Sequence, residues 1–161
     1  MKLILSLCFF ISIFCFSQEK EIIKILNDEL KKEIKNQFQH PDFDGDTLTL
    51  TKEFSIDKNR ILSVEIKKQN GFRTYTERQE VHLSKISSIG KDINIIMNSD
   101  GGEVQINSKS VDKNKNQQTR STNSGIFFTY MHFNNNEYIG DNLVKAFAKA
   151  GFPIKKLYWY D

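Results

Sequence analysis

The chain has 161 residues, of which 39% are hydrophobic, and it carries 23 basic against 20 acidic side chains. This length and composition indicate one globular domain rather than two. The small net charge gives no reason to expect nucleic acid or an anionic membrane as the partner.

The first 17 residues have the layout of a secretory signal peptide. A positive start at Lys2 precedes an apolar run over 3–16, and the small residue Ser17 follows it. The run is shorter than the roughly 20 residues that a helix needs to cross a bilayer. We therefore expect cleavage between Ser17 and Gln18, and a secreted or periplasmic protein with no transmembrane segment after cleavage.

Both cysteines, Cys8 and Cys15, lie inside this segment, so the mature domain 18–161 contains none. The residues before them, Leu7 and Phe14, are too large for a lipoprotein cleavage site. An exported domain without disulfides depends on its core for stability. The abundance of Lys, Asn and Ile favours a bacterial source.

Residues 18–40 are predicted to form an N-terminal amphipathic helix. Glu and Lys occupy one face, and Pro41 ends the helix. Acidic residues match the lysines, which favours packing of the apolar face on a sheet over binding to a membrane. The apolar positions recur at every fourth residue: Ile22, Leu26, Leu30, Ile34 and Phe38.

Residues 46–133 show the alternation of an antiparallel meander of six or seven strands. Short turns separate the strands, among them the Asn-Gly pair in "QNGF". The segment 107–124 has one apolar residue, Val111, and is predicted to be an exposed, mobile loop. The apolar segments lie at 47–56, 62–66, 75–83, 93–97, 104–106 and 125–133.

A C-terminal helix is predicted over 137–150, with Asn135 or Asn136 as its cap and Gly151 as its stop. The aromatic tail 151–161 is expected to add an edge strand. Strands and helices are segregated along the chain, so the fold class is α+β.

The segment "HPDFDGDTLTL" contains a candidate calcium site. Asp42, Asp44, Asp46 and Glu53 match positions 1, 3, 5 and 12 of an EF-hand loop. Position 6 requires Gly and holds Thr47, and the residues that follow alternate as a strand. A solvated turn is therefore favoured over a calcium site, and no other cofactor is expected.

Catalytic motifs are weak. His40, His82 and His132 are isolated in the sequence and lack zinc-binding spacing. No mature cysteine or Gly-x-Ser-x-Gly elbow is present. The alternative to a non-enzymatic protein is a small secreted hydrolase or metal-dependent enzyme, with a His and carboxylate site on the concave face of the sheet.

Two segments are candidate binding surfaces. The segment 107–124 carries four cations among polar residues, which suits an anionic glycan, a lipid head group or a protein. The aromatic residues near the C-terminus suit sugar stacking or a protein contact, or else they cover the sheet. The candidate residues are Lys109, Lys113, Lys115, Arg120, Tyr158, Trp159 and Tyr160.

The stretch "VHLSKISSIGKDINIIMNSDGGEVQINS", followed by an apolar strand and "DNLVKAFAKAGF", resembles the pleckstrin-homology-like superfold over roughly 46–150. The resemblance implies a bent antiparallel half-barrel closed by a C-terminal helix, and a domain that binds lipid head groups or peptides. A cystatin-like or nuclear-transport-factor-like sheet wrapped around the N-terminal helix is the alternative architecture. Either way, we expect an exported, non-enzymatic module that binds a peptide, a glycan or an envelope protein.

Overall fold

A computed structural model describes residues 2–39, 43 and 45–160, with side chains described from Gln18 onward. It confirms the α+β class: an N-terminal helix, antiparallel strands and a C-terminal helix follow one another. The helices are α1 (Lys2–Asn36) and α2 (Glu137–Lys149), with single 3₁₀ turns at Gln37–Gln39 and Leu83–Lys85. The strands are β1 (Thr47–Ile56), β2 (Ile61–Gln69), β3 (Arg73–His82), β4 (Ile86–Lys91), β5 (Ile95–Ser99), β6 (Val104–Asp112), β7 (Gln117–Ser124), β8 (Ile126–Phe128) and β9 (Lys155–Trp159).

The strands form two open sheets, and across the described ranges they do not close into a barrel. One sheet has the order β1-β2-β3-β6-β7 and is antiparallel throughout. The other has the order β8-β5-β4-β9, in which the predicted edge strand β9 pairs in parallel with β4. The described part of the chain therefore has more strands than the six or seven predicted.

The core lies between α1, α2 and the inner faces of the two sheets. Ile22, Leu26 and Leu30 of α1 are completely buried, which confirms the apolar stripe of the amphipathic helix. The stripe does not continue to Phe38, which is 65% exposed because α1 ends at Asn36 and a 3₁₀ turn changes the direction of the chain. Leu143 and Phe147 bury the matching face of α2.

Residues 84–92, which lie between two of the predicted apolar segments, contain β4. Gly90 made this strand hard to predict, because Gly is rare in strand interiors unless a close contact requires it. Here a Cβ on Gly90 would lie 3.1 Å from the Tyr158 carbonyl oxygen of the neighbouring strand. Ile93, predicted to lie in a strand, is 73% exposed in the turn between β4 and β5.

The loop predicted over 107–124 is wrong for most of its length. Residues up to Asp112 belong to β6 and residues from Gln117 belong to β7, and the two strands pair in register from Val104–Ser124 to Val111–Gln117. This hairpin is largely exposed, so it has no alternation of apolar residues that would indicate strands. Its turn is fixed by the Asp112 carboxylate, which accepts hydrogen bonds from the backbone and side-chain nitrogens of Asn116 at 2.8 and 2.9 Å.

The strand predicted over 125–133 is regular only at Ile126–Phe128. The chain then leaves the sheet through Tyr130, whose φ of 61° lies in the left-handed region. Thr129 holds this departure in place by donating its backbone N–H and its hydroxyl to the Ile95 carbonyl, at 3.2 and 2.7 Å. The turn directs the buried Tyr130 side chain toward the inner face of the five-stranded sheet.

Two amide side chains cover the free edge of β1. Asn27 of α1 accepts from the Phe54 backbone N–H at 2.8 Å and donates to the Phe54 carbonyl at 2.9 Å. Gln37 makes the same pair of bonds with Leu48, at 2.7 and 3.2 Å. Each amide replaces the backbone of a missing neighbouring strand, so α1 and the 3₁₀ turn that follows it protect the edge strand β1.

Candidate functional site

The tips of two hairpins form one strongly basic surface. Arg73 at the start of β3 is the register partner of Asp112 at the end of β6, so the β2–β3 and β6–β7 turns lie side by side. We define the basic end as residues 67–76 and 108–120, which contain seven basic residues and one acidic residue, Asp112. The cations are Lys67, Lys68, Arg73, Lys109, Lys113, Lys115 and Arg120.

The basic end is much more positively charged than the rest of the chain. Its formal charge is +6, whereas the whole chain carries +3, so the remaining residues sum to −3. The Asp112 carboxylate is engaged by Asn116, whose side-chain and backbone hydrogen bonds lower the pKa of Asp112. The fold therefore concentrates positive charge that the overall composition conceals.

None of these seven cations forms an ion pair with a described residue. Cations elsewhere commonly have acidic partners, such as Lys52 with Glu65 at 3.0 Å and Lys149 with Glu21 at 3.1 Å. Two of the seven instead lie over aromatic rings. The Lys113 ammonium is 4.2 Å from the centre of the Phe72 ring, and the Lys68 ammonium is 5.4 Å from the centre of the Tyr130 ring.

A cleft of about 260 Å³ opens on the inner face of the basic end. Its lining residues are Asp46, Lys68, Asn70, Arg73 and Tyr75. Asn70 is fixed at its rim, because its side chain donates to Asp46 at 2.6 Å and accepts from the backbone amides of Phe72 and Arg73. The cleft thus combines two cations with a carboxylate, an amide and a phenol.

A hydrogen-bonded network adjoins the cleft. The Glu77 carboxylate accepts hydrogen bonds from the Tyr75 and Tyr130 hydroxyls and from Gln79 Nε2, the last at 3.2 Å. Burial raises the pKa of both tyrosines, and the bonded Glu77 carboxylate raises each pKa further. These phenols therefore keep their protons and act as fixed donors toward Glu77.

Gln79 joins this network to the second sheet. Its side-chain carbonyl accepts from the Phe128 backbone N–H at 2.9 Å, and its amide nitrogen lies 3.4 Å from the Phe128 carbonyl. Tyr130 holds a left-handed conformation that is rare for a bulky residue and costs of order 1–3 kcal/mol. The network holds this conformation, so the inner side of the cleft is preorganised.

No family model matches the chain, and no curated protein or solved structure matches it either. The resemblance to the pleckstrin-homology-like superfold therefore stays a prediction.

The four cations predicted in 107–124 all belong to the basic end, but they lie on different faces. Arg120 pairs across the sheet with Ser108 in the same row as Glu77, on the inner face. Lys109 lies in the row of Thr76 and Lys67, on the opposite face. Lys113 and Lys115 lie in the turn, Lys115 with a φ of 64°.

Sequence reasoning missed Lys67, Lys68, Arg73 and the Tyr75–Glu77 network. These residues lie in β2 and β3, where period-two alternation assigns them only to a face of the sheet. One signal in the sequence could have indicated the site: Lys68, Tyr75 and Glu77 stand at the ends of the apolar alternations in β2 and β3, at positions where the alternation would otherwise place apolar residues. Their closeness follows from the register Ile66↔Glu77 and Lys68↔Tyr75, which the sequence does not specify.

The aromatic tail belongs to the other sheet, at its edge strand β9. The Tyr158 and Tyr160 rings are stacked and exposed, with centroids 5.3 Å apart. Trp159 is half-buried against α2, where its indole N–H donates to the Asn136 side chain at 3.1 Å. The tail and the basic end are therefore separate candidate binding surfaces. Within the tail, Trp159 packs against α2 and has a structural role, whereas Tyr158 and Tyr160 are exposed.

The structure describes two of the four candidate calcium ligands, Asp46 and Glu53. Asp42 and Asp44 lie outside the described residues. Asp46 accepts from Asn70, and Glu53 forms an ion pair with Lys31 at 2.7 Å. The extended strand β1 separates Asp46 from Glu53 by on the order of 20 Å, so these two cannot bind one ion. Within the described ranges, no group of three or more His, Cys, Asp or Glu residues could hold a metal.

Of the two described histidines, His132 contacts a carboxylate. His132 Nδ1 lies 3.3 Å from Glu33 Oε1, and the same oxygen accepts the backbone N–H of His132 at 2.8 Å and of Phe133 at 3.2 Å. Glu33 is 7% exposed, so its carboxylate anchors the chain after β8 to α1. His82 instead bonds to Ser84 at 2.8 Å, and His40 lies outside the described residues.

Within the part of the chain whose side chains are described, no helix has both the length and the apolar character of a membrane span.

Proposed function

We propose that the protein is an exported, non-enzymatic module that binds polyanions through the basic end. The observation that carries this proposal is the set of seven cations without an acidic partner among the described residues. Like charges held close together repel one another and disfavour the folded state, unless a ligand of opposite charge is bound. A binding surface accounts for this arrangement, whereas a purely structural hairpin would not need it.

The distribution of charge also supports oriented binding. The basic end carries +6 and the rest of the chain −3, so a negatively charged surface or polymer attracts one end of the molecule and repels the remainder. Of the partners expected from the sequence, this favours anionic glycans and acidic proteins over neutral ones. Export is supported by the signal-like residues 1–17, and Gln18 as the first residue of the purified protein would test it.

Affinity measurements with dextran sulfate and neutral dextran test the proposal. We expect salt-sensitive binding to dextran sulfate alone, because exposed charges are screened within about 8 Å at physiological ionic strength. The triple variant Lys109→Gln, Lys113→Gln, Arg120→Gln should bind at least tenfold more weakly. The control triple Lys58→Gln, Lys145→Gln, Lys155→Gln removes the same charge from exposed positions elsewhere. Equal losses in the two triples would refute a site at the basic end.

A small hydrolase is the second candidate, and the contact between His132 and Glu33 is the observation in its favour. The contact does not lie on the concave sheet face where such a site was expected, and Glu33 Oε1 already accepts two backbone amides. Hydrolysis of ester or glycoside substrates that is abolished by His132→Ala, with an unchanged melting temperature, would favour the enzyme.

A further inference from the structure

We infer that the polyanion is an acidic polysaccharide, one unit of which occupies the cleft between Lys68 and Arg73. This inference rests on the proposed function and adds the class of ligand and its position. It is carried by the spacing of the cations, by the donors and acceptors between them, and by the size of the cleft.

The spacing of the cations suits a polymer. On the inner face, Lys68 lies on β2 and Arg120 lies on β7, three strand intervals apart. Adjacent strands are about 4.8 Å apart, so these two positions are separated by about 15 Å. The inner-face cations Lys68, Arg73 and Arg120 come from three different strands, so a chain with a negative group on successive units pairs with more of them than a single small anion does.

The groups between the cations suit sugar hydroxyls. Tyr75 and Ser110 follow Lys68 across the sheet, and Ser108 is the register partner of Arg120. Asp46 and Asn70 add a carboxylate and an amide at the cleft. A sugar unit with one acidic group offers an anion together with hydroxyls that donate and accept. A phosphodiester backbone offers hydrogen-bond acceptors only. It would bring negative charge close to the Asp46 carboxylate and would have no donor group to offer that carboxylate.

An apolar partner is less well matched. Phe72 is 72% exposed at the hairpin tip, but the Lys113 ammonium lies over its ring at 4.2 Å. Insertion of Phe72 into a lipid layer would carry that charge with it. The cleft is also lined by polar side chains and one phenol, so it has no apolar pocket for a peptide anchor.

The size of the cleft suits one ring. Its volume of about 260 Å³ is below the roughly 300–1,000 Å³ of pockets that enclose drug-sized ligands. One unit therefore enters the cleft, and its neighbours lie along the exposed cations.

Binding of polygalacturonate, which has a carboxylate on every ring, tests the inference. We expect the double variant Lys68→Gln, Arg73→Gln to bind at least tenfold more weakly, and the double variant Lys58→Gln, Lys155→Gln, at exposed positions outside the basic end, to lose less than threefold. Equal losses in the two pairs would overturn the cleft. Tighter binding of polyglutamate, single-stranded DNA or phosphatidylglycerol vesicles than of polygalacturonate would overturn the ligand class. The proposed function is judged separately: it fails if no polyanion binds, or if the two triple variants described above lose affinity equally.

A measurement on the unaltered protein removes any dependence on how the variants fold. Lysine acetylation followed by mass spectrometry reports which ammonium groups the polysaccharide covers. Bound polygalacturonate should protect Lys68 and leave its neighbour Lys67 reactive, because adjacent strand residues face opposite sides of the sheet. Protection of Lys67 with a reactive Lys68 would overturn the proposed position.

Discussion

The Asn27→Ala variant tests the role of α1 in protecting the edge of the first sheet. Asn27 is 7% exposed, and it bonds both the N–H and the carbonyl of Phe54. Truncation leaves both backbone groups without a partner in a buried position. Each such group costs about 1–3 kcal/mol, so we expect a total loss of about 3 kcal/mol.

This loss is large for a domain of this size. Natural domains unfold with about 5–15 kcal/mol, and in domains of 150–250 residues each kcal/mol lowers the melting temperature by about 2–4 °C. The expected decrease is therefore about 6–12 °C in a thermal melt followed by circular dichroism. Equilibrium unfolding in urea should show the same loss with an unchanged slope.

Asn36→Ala is the matched control on the same helix. The Asn36 amide donates to the Lys32 carbonyl at the surface, so its loss should cost less than about 0.5 kcal/mol. Asn27→Asp adds a second comparison: it keeps the acceptor for the Phe54 N–H but donates only when protonated. Burial raises the pKa of such a carboxyl, so the stability of this variant should fall as the pH rises through that pKa. If Asn27→Ala and Asn36→Ala were equally stable, the edge-protection argument would be wrong.

Three further substitutions test other contacts. Gly140→Ala places a Cβ 2.6 Å from the Trp159 ring, so it should destabilise the protein by up to about 2 kcal/mol and alter the tryptophan fluorescence. Unchanged stability and unchanged emission would contradict the close packing of Gly140 on Trp159. Glu33→Ala should lower the free energy of unfolding in urea by about 2–4 kcal/mol, because two backbone amides lose their acceptor. His132→Ala should lower it by less than about 1 kcal/mol. A larger loss in His132→Ala than in Glu33→Ala would contradict the role of Glu33 as the anchor. Burial and the Glu77 charge raise the pKa of Tyr130 above its usual value of 10.0, so the unfolded state loses this proton first and the protein becomes less stable as the pH rises above 10. The Tyr130→Phe variant should therefore lose less stability between about pH 8 and about pH 11 than the unaltered protein. An equal loss of stability in the two proteins would contradict this reasoning.

Elements with one buried face could be predicted from the sequence. The stripe Ile22, Leu26 and Leu30 and the alternation over β2 gave the helix and the sheet, because burial of one face imposes a period. The hairpin of β6 and β7 is exposed for most of its length, so no period indicated its strands. β4 escaped prediction because the contact that requires Gly90 comes from β9, far along the chain.

The candidate site could be predicted only in part. Lys109, Lys113, Lys115 and Arg120 are close together in the sequence, so composition indicated a basic segment. The cations of the other hairpin join them only through the pairing of β3 with β6. A chain with a small net charge thus has a strongly basic end because of its strand register.

The most direct test of polyanion binding at the basic end is a map of backbone amide shifts by nuclear magnetic resonance during titration with a short dextran sulfate oligosaccharide. The proposal predicts that the largest shifts lie in residues 67–76 and 108–120, and that added salt reverses them. Shifts centred on the stacked Tyr158 and Tyr160, or no shifts at all, would contradict it.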